Sequence, residues 1–187
     1  MQVYLIRHTS PDIEKGICYG QADIPANAAL FEQELEIIKS KIPANLEVYY
    51  CSPLKRCLHL AEKMSARVLQ DDRLKELDFG NWELKKWDEI PADEIQPWMD
   101  DFVNQVPGHG ENYSDLYHRS CDFLTGLLQQ PYKTAAIITH AGNIRSILSW
   151  ALDLPLENAF RVNISYGAVV HLELHENKQL NQLKLIL

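Results

Sequence analysis

Two histidines, His8 and His140, each lie two residues after the end of a short apolar run of the chain. The runs, residues 4–6 and 136–138, have the continuous apolar character of strands that are buried on both faces of a sheet. Ligands of open α/β sheets bind beyond the carboxyl ends of the strands, so both imidazoles are expected at one site. A neutral imidazole can attack phosphorus and form a phosphohistidine, which splits one displacement into two. The pair therefore predicts phosphoryl chemistry.

Two arginines are suitably placed to neutralise the charge of a phosphate. Arg7 precedes His8, and its planar guanidinium matches the oxygens of a phosphate group. Arg56 lies one turn into the helix predicted after strand 46–51, near a helix N-terminus where the backbone favours anions. Judged by its own position alone, Arg56 is equally compatible with a solvated surface side chain beside Lys55.

The residues after His140 form a predicted strand-to-helix turn, Ala141-Gly142-Asn143. Backbone N–H groups in such a turn can face a phosphate, which makes Ala141 a candidate phosphate-binding residue. A buried core histidine is the competing interpretation for His140. The matching position of His8 at the end of another strand favours the functional one.

Hydrolysis of a phosphate ester also requires a proton for the leaving alkoxide and a base that activates water. One carboxyl group can serve in both steps. Glu76, Asp78 and Glu83 lie together in the segment 74–83, and all three qualify on their chemistry. The alternative is that they form a solvated acidic face, and the residues alone leave this choice open.

Strands and helices alternate along the chain, which predicts an α/β fold for the elements that must position these residues. The predicted strands are 2–7, 46–51, 67–69, 134–139, 161–165, 168–174 and 179–186. The predicted helices are 27–41, 53–65, 83–104 in broken form, 112–129 and 142–152. Ser52 as N-cap and Pro53 in the first turn are expected to start the second helix. Short links between the last three strands predict antiparallel pairing and hence a mixed sheet.

The composition limits the class of protein. The chain of 187 residues fits one domain over 1–187, and the Pro- and Gly-containing stretch 80–111 is expected to be a lid or insertion. A net charge of −8 argues against a nucleic acid or an anionic membrane as partner. No signal peptide and no apolar run of roughly 20 residues is visible, so a cytoplasmic protein is expected.

Cysteine and metal-ligand spacings give no sign of a metal centre. The four cysteines form no Cys-x-x-Cys pair, and buried free thiols are expected. The chain also lacks His-x-Asp and His-Glu-x-x-His spacings, which disfavours a metallohydrolase.

Five blocks in sequence order resemble the histidine phosphatase (phosphoglycerate mutase-like) superfamily over about residues 2–170. They are Leu-Ile-Arg-His-Thr at 5–9, Ser-Pro-Leu-Lys-Arg-Cys at 52–57, Leu-Lys-Glu-Leu-Asp-Phe-Gly-Asn-Trp-Glu at 74–83, Pro-Gly-His-Gly-Glu at 107–111, and Ile-Thr-His-Ala-Gly-Asn-Ile-Arg at 138–145. The resemblance implies a three-layer α/β/α sandwich with a mixed, mostly parallel central sheet. It also implies a phosphatase that needs no metal or other cofactor.

The resemblance assigns roles to individual residues. His8 is similar in position to the phosphorylated nucleophile of the family. Arg7, Arg56 and His140 resemble the remainder of its phosphate pocket. Glu76 is similar in position to the family's proton donor, which decides among the three carboxylates.

Within the superfamily, residues 7–12 and 16–25 resemble the α-ribazole phosphatase subgroup, which removes the 5′-phosphate of α-ribazole 5′-phosphate in cobalamin biosynthesis. The implied partner is therefore a small phosphate monoester, and a homodimer is a possible assembly. Residues 9–27 and 105–113 are expected to border the leaving group. Thr9, Gln21, His109 and Glu111 are the candidates for that pocket.

Other functions remain open at this point. A phosphoglycerate mutase or a broad-specificity sugar-phosphate phosphatase would use the same residues, and a non-catalytic module that binds phosphorylated ligands is the alternative of another class. Trp82, Trp87 and Trp98 either form an apolar wall against an aromatic base or pack in the core.

Overall fold

A six-stranded mixed sheet forms the centre of the protein, with its strands in the order β3-β2-β4-β1-β5-β6. The computed structural model describes residues 1–186 of the chain. The strands are β1 (Gln2–Arg7), β2 (Val48–Cys51), β3 (Leu69–Gln70), β4 (Thr134–Thr139), β5 (Val169–Glu173) and β6 (Gln182–Ile186). The first four strands are parallel, whereas β5 and β6 add antiparallel pairs beside β1. The predicted mixed, mostly parallel sheet is confirmed.

Helices cover both faces of the sheet and complete the three layers. They are α1 (Phe31–Ser40), α2 (Lys55–Met64), α3 (Ala92–Asp100), α4 (Tyr113–Leu128) and α5 (Ala141–Leu152). Short 3-10 helices lie at Asp72–Leu74, Gly80–Trp82, Trp87–Glu89, Pro107–His109, Leu156–Arg161 and Lys178–Leu180. In the described part of the chain, no helix has both the length and the apolar character needed to span a membrane.

Alternate residues of β1 belong to two different apolar clusters. Val3 and Leu5 pack with side chains of α4 and α5, whereas Tyr4 and Ile6 pack with side chains of α1 and α2. Because both faces of the strand are buried, its sequence is apolar throughout rather than alternating. The same reasoning applies to β4, so the two apolar runs that precede the histidines are central strands.

The register of the sheet brings the two histidines together. Arg7 of β1 lies opposite Thr139 of β4 in the parallel pair, so His8 and His140 leave the same edge side by side. The backbone N–H of His8 donates to the carbonyl oxygen of Thr139 at 3.0 Å, which extends the pairing past the strand end. Ser52 reaches the same edge from β2, through a bond from its N–H to the carbonyl of Ile138 at 2.9 Å.

The predicted strand at 161–165 is wrong. This segment begins at the last residue of a 3-10 helix. Its carbonyl groups accept hydrogen bonds from arginine side chains rather than from the backbone of a neighbouring strand. The carbonyl oxygen of Val162 accepts from Nε of Arg145 at 2.9 Å, and that of Ile164 accepts from Nη1 of Arg7 at 2.6 Å. Only the pair of β5 with β6 therefore forms the predicted hairpin at the end of the chain.

The predicted start of the second helix is also wrong. The helix begins at Lys55, and Ser52 does not cap it. The Ser52 hydroxyl lies instead 2.8 Å from Nε2 of His140. By contrast, α4 begins next to its expected first residue, with the side chain of Asn112 accepting from the N–H of Asp115 at 2.8 Å. The cysteines are free and buried, as expected.

Candidate active site

A cavity of about 650 Å³ opens at the edge where β1 and β4 end. Arg7, His8, Glu76 and Ala141 line it, whereas Arg56 and His140 are fully buried behind the lining, near Tyr19 and against His8 respectively. Much of the remaining wall comes from the segment 10–19 that follows β1.

His8 is held in one tautomer by the backbone. Its Nδ1 atom lies 2.7 Å from the carbonyl oxygen of Thr9, which can only accept, so Nδ1 carries the proton and Nε2 keeps its lone pair. The residue is only 2% exposed. Burial, followed by the charges of Arg56 and Arg7, lowers the pKa of His8 well below its usual value. The ring is therefore neutral and nucleophilic at Nε2.

His140 packs edge-on against His8, with 5.1 Å between the ring centroids and an interplanar angle of 62°. Its Nε2 lies 2.8 Å from the hydroxyl of Ser52 and 3.5 Å from Sγ of Cys57. Burial, then the positive charge of Arg56, lowers the pKa of this imidazole well below its usual value. The site therefore contains two neutral histidines in contact.

Both arginines are held by backbone carbonyl groups. Arg7 donates from Nη1 to Ile164, and its guanidinium lies 3.9 Å from the centroid of the Tyr166 ring. Arg56 is fully buried and donates to the carbonyl oxygens of Gly20 at 2.5 Å and Ala22 at 2.9 Å. Within residues 1–186, the buried Nε atoms of both arginines have no hydrogen-bond partner. Phosphate oxygens are suitable acceptors for such N–H groups.

Glu76 is the one of the three candidate carboxylates that lines the cavity among the residues described. Its Oε1 accepts from the N–H of Leu77 at 3.0 Å and its Oε2 from the N–H of Gly142 at 3.2 Å. The second bond ties the carboxylate to the N-terminus of α5. Asp78 accepts from the N–H of Gly80 at 2.8 Å, and Glu83 binds backbone N–H groups of another loop.

His109 and Glu111 do not line the cavity, so the structure does not bring these two candidates to it, and the expectation that 105–113 borders the leaving group stays a prediction. His109 is exposed in a loop where its φ is +63°. Arg119 binds the carboxylate of Glu111, with 2.6 Å between Nε and Oε1. The same guanidinium also donates to the backbone carbonyl oxygen of Glu76.

Thr9 and Gln21 are near the site but also absent from the cavity lining. Thr9 is fully buried behind His8 and contributes its carbonyl group rather than its side chain. The side-chain amide of Gln21 donates to the carbonyl oxygen of Glu76 at 3.1 Å. Residues 10–19 contribute to the cavity wall, while the role of the segment 9–27 beside the leaving group stays a prediction.

Tyr19, Tyr166 and Arg145 are among the side chains of the cavity that were not singled out from the sequence. Tyr19 and Tyr166 lie with their hydroxyl oxygens 2.5 Å apart, and Tyr166 is also 5.6 Å from the His8 ring. Arg145 lines the cavity beside Glu76. The spacing of four residues from Ala141 puts Arg145 on the same helix face, a signal that could have identified it. Tyr19 lies within the segment 9–27 that is expected to border the leaving group, whereas no sequence signal indicates Tyr166.

The tryptophans divide between wall and core. Trp87 lines the cavity and stacks on Trp98, with 5.9 Å between centroids and an interplanar angle of 17°. Trp82 is only 2% exposed and donates from Nε1 to the carboxylate of Glu94 at 2.8 Å. The wall hypothesis thus applies to Trp87, and the core hypothesis to Trp82.

The donor set of the site does not suit a metal ion. Among residues 1–186, no group of three or more histidine, cysteine, aspartate or glutamate side chains is arranged to hold one. Both site histidines lie close to the positive charges of Arg7 and Arg56, which repel a cation.

Both the sequence and the fold are similar to those of known proteins. The profile of the histidine phosphatase superfamily (branch 1) matches residues 3–185. The adenosylcobalamin/alpha-ribazole phosphatase of Escherichia coli (strain K12) is 25% identical over 182 residues, which are 89% of this chain and 87% of that protein. Phosphoserine phosphatase 1 of Hydrogenobacter thermophilus is 26% identical over 144 residues, or 71% of this chain and 68% of that protein. The crystal structure of the alpha-ribazole phosphatase from Shigella flexneri has a TM-score of 0.88 at 22% identity, over 100% of this chain and 96% of that one.

Proposed function

Since the chain belongs to the histidine phosphatase superfamily and is a phosphatase of that family, we propose that it hydrolyses small phosphate monoesters through a phosphohistidine at His8. The observation that carries the proposal is the bond between Nδ1 of His8 and the carbonyl of Thr9. This bond leaves the lone pair on Nε2 of a neutral ring that lines the cavity.

The proposed reaction has two displacements. In the first, Nε2 of His8 attacks phosphorus, the bond to the ester oxygen breaks, and Glu76 gives its proton to the departing alkoxide. In the second, Glu76 takes a proton from water, the water oxygen attacks phosphorus, and the bond to Nε2 breaks to release inorganic phosphate. One carboxyl group thus serves first as acid and then as base.

Four groups are proposed to bind the phosphate oxygens during both displacements. Arg7 and Arg56 supply two positive charges and two unpartnered buried Nε–H groups. His140 and the backbone N–H of Ala141 add neutral donors at the same edge of the sheet. Such fixed donors stabilise the charge of the transition state without reorganising.

As substrate we propose α-ribazole 5′-phosphate, because the Escherichia coli relative is named an alpha-ribazole phosphatase. The support is the cavity wall, which includes the apolar side chains of Ile13, Ile17, Leu30, Phe79 and Trp87. A planar apolar base fits such a surface. The ribose 5′-alkoxide is a poor leaving group, which calls for the acid that Glu76 would supply.

O-phosphoserine is a second candidate because the wall also carries charges of both signs. Arg145, Lys15 and Glu14 line the cavity, and no carboxylate of the described chain lies within 4.0 Å of the Arg145 guanidinium. A carboxylate on the substrate would pair with Arg145, and an ammonium group with Glu14. The name of the Hydrogenobacter thermophilus relative points to the same ester.

A substrate panel tests these proposals. We expect kcat/KM to be highest for α-ribazole 5′-phosphate, compared with O-phosphoserine, 3-phosphoglycerate and sugar phosphates. Equal values across the panel would indicate a broad-specificity phosphatase. Interconversion of phosphoglycerates without release of phosphate would indicate a mutase, and binding without turnover would indicate a non-catalytic module.

Arg145→Gln separates the two leading substrates. If phosphoserine is the substrate, this change lowers its kcat/KM by about 10-fold or more, the size expected for one charged hydrogen bond. The same variant leaves kcat/KM for α-ribazole 5′-phosphate within about twofold, because that leaving group has no carboxylate.

The segment 80–111 is proposed to cover the leaving group. It contributes Trp87 to the cavity wall and is joined to the 10–19 segment by the bridge between Ile17 and Lys86. The cytoplasmic location and the homodimer stay predictions from the sequence.

A further inference from the structure

Glu83 uses its carboxylate to hold a loop of backbone. Oε2 accepts from the N–H groups of Gly20 at 2.9 Å and Ala22 at 3.0 Å, and Oε1 accepts from those of Gln21 at 2.9 Å and Phe79 at 3.1 Å. Glu83 is not among the residues that line the cavity. A carboxylate that binds four backbone donors is part of a rigid support rather than a group in contact with substrate.

Arg56 holds the same loop from its carbonyl side. Its Nη2 donates to the oxygen of Gly20 and its Nη1 to the oxygen of Ala22. The peptide unit between Gly20 and Gln21 therefore accepts from the guanidinium and donates to the Glu83 carboxylate. This peptide dipole lies between a cation and an anion, and each bond polarises the other.

The position of Arg56 depends on this loop. The residue is fully buried, and no carboxylate of residues 1–186 lies within 4.0 Å of its guanidinium. A buried charge without a direct ion-pair partner requires other compensation. The two loop carbonyls supply it, and Glu83 fixes the loop that carries them.

The backbone of the loop packs closely against its neighbours at Gly20. A Cβ atom there would lie 1.8 Å from the carbonyl oxygen of Leu77 and 2.9 Å from Oε1 of Glu83. Close backbone packing on one side and the carboxylate on the other thus define where the carbonyl of Gly20 points. Its direction in turn sets the plane of the Arg56 guanidinium.

We propose that Glu83 is a positioning residue for phosphate binding, which acts on Arg56 through the backbone of residues 20–22. The proposal rests on the proposed function, in which Arg56 binds the phosphate of the substrate. Its consequence is that the carboxylate of Glu83 matters for phosphate affinity although it does not touch the phosphate.

The test measures the Kd of inorganic phosphate for the full chain by isothermal titration calorimetry. Glu83→Gln removes the charge and replaces one of the two acceptor oxygens by an NH2 group that cannot accept, and we expect the Kd to rise about 10- to 100-fold, as for loss of a charged hydrogen bond. The control is Glu89→Gln in the same segment, since its side chain is 61% exposed. It should leave the Kd within about twofold.

A double-mutant cycle identifies the route of the effect. In an Arg56→Met background, adding Glu83→Gln should weaken phosphate binding no further, because the group that Glu83 positions is gone. An equal weakening in both backgrounds would overturn the proposal, as would an unchanged Kd in Glu83→Gln alone. If Glu83→Gln does not fold, Glu83→Asp takes its place, because it keeps the charge on a shorter side chain. We expect Glu83→Asp to weaken phosphate binding in the wild-type background and to have no further effect in the Arg56→Met background.

The outcome can be separated from failure of the proposed function. If Glu83→Gln weakens phosphate binding as expected but the wild type never forms a phosphoenzyme, the proposed mechanism is wrong while the role of Glu83 stands. If the wild type forms the phosphoenzyme and Glu83→Gln binds phosphate normally, the role of Glu83 is wrong while the mechanism stands.

Discussion

Arg119 binds the carboxylate of Glu111 through two hydrogen bonds, from Nε at 2.6 Å and from Nη2 at 2.8 Å. The same guanidinium donates to the carbonyl oxygens of Arg73 at 2.7 Å, Lys75 at 2.6 Å and Glu76 at 2.9 Å. The pair therefore fixes the backbone that presents the proposed acid to the cavity.

Glu111→Gln is expected to lower both stability and activity. The two side chains of the pair are only 19% and 17% exposed, so the change leaves a largely buried guanidinium without its counter-charge. The free energy of unfolding should fall by up to about 3–5 kcal/mol, measured by urea denaturation.

The matched control for this change is Glu36→Gln, which breaks the surface pair with Lys39. Those side chains are 71% and 43% exposed, so the cost should stay within about 1 kcal/mol. Equal costs for the two variants would show that the Glu111 pair is no more than a surface contact.

The parts of the site that lie in β1 and β4 were predictable because local pattern determines them. An apolar run of strand length identifies a central strand, and the residue after it must emerge at the sheet edge. His8, Arg7 and His140 follow from this rule alone. The choice of Glu76 over Asp78 needed the family resemblance, because neighbouring carboxylates do not differ in local pattern.

Two features near the site, the course of residues 162–164 and the partner of Glu111, were not predictable because arginine side chains determine them. Residues 162–164 have the apolar alternation of a strand. The carbonyl groups of Val162 and Ile164 nevertheless accept hydrogen bonds from Arg145 and Arg7 rather than from a strand. Glu111 has the chemistry of a cavity residue, yet Arg119 binds it elsewhere. In each case an arginine contact prevails over local pattern, and the sequence spacing does not encode such a partner.

His8 is expected to carry the phosphoryl group during turnover. Rapid quenching at neutral or basic pH should trap a phosphoenzyme that is labile in acid and stable in base, because phosphorus is bound to nitrogen. His8→Ala should neither form it nor turn over substrate. An acid-stable adduct, or full activity in the variant, would contradict the assignment.

Stability should decrease on the acid side of about pH 6.5. The pKa values of His8 and His140 are lowered in the folded protein, so between that pH and the lowered pKa values only the unfolded chain takes up protons. The free energy of unfolding should then fall with decreasing pH by at most about 1.4 kcal/mol per pH unit for each histidine. Urea denaturation between pH 5 and 7, in buffers free of phosphate, measures this slope.

His140→Gln provides the control for that slope. The variant removes one of the two buried histidines, so its stability should depend less steeply on pH, whatever its absolute stability. A slope equal to that of the wild type would mean that His140 does not contribute.

Activity is expected to persist after removal of divalent metals. Arg7 and Arg56 provide the positive charge that a metal ion would otherwise supply to the phosphate. Dialysis against EDTA should leave kcat within about twofold, whereas a catalytic metal contributes several kcal/mol to the transition state. A loss of activity that only Mg²⁺ or Zn²⁺ restores would show that this expectation is wrong.

Glu76→Gln should slow phosphoryl transfer most when the leaving alcohol is poor. General acid catalysis contributes typically about 10²–10⁴-fold, and it matters least when the leaving group departs unaided. The variant should therefore lose far more activity on a ribose 5′-phosphate than on p-nitrophenyl phosphate. The transfer to His8 must be followed by burst or single-turnover kinetics, because dephosphorylation is common to both substrates and can hide the difference.

Asp78→Asn is the control for the acid, since Asp78 has the same chemistry but accepts from the N–H of Gly80 outside the cavity lining. It should slow both substrates by similar, small factors. If Glu76→Gln slows the two transfer steps equally, its carboxylate supports the pocket through Leu77 and Gly142 rather than protonating the alkoxide. If Asp78→Asn shows the selective loss instead, the proton donor is the carboxylate two residues further along the chain.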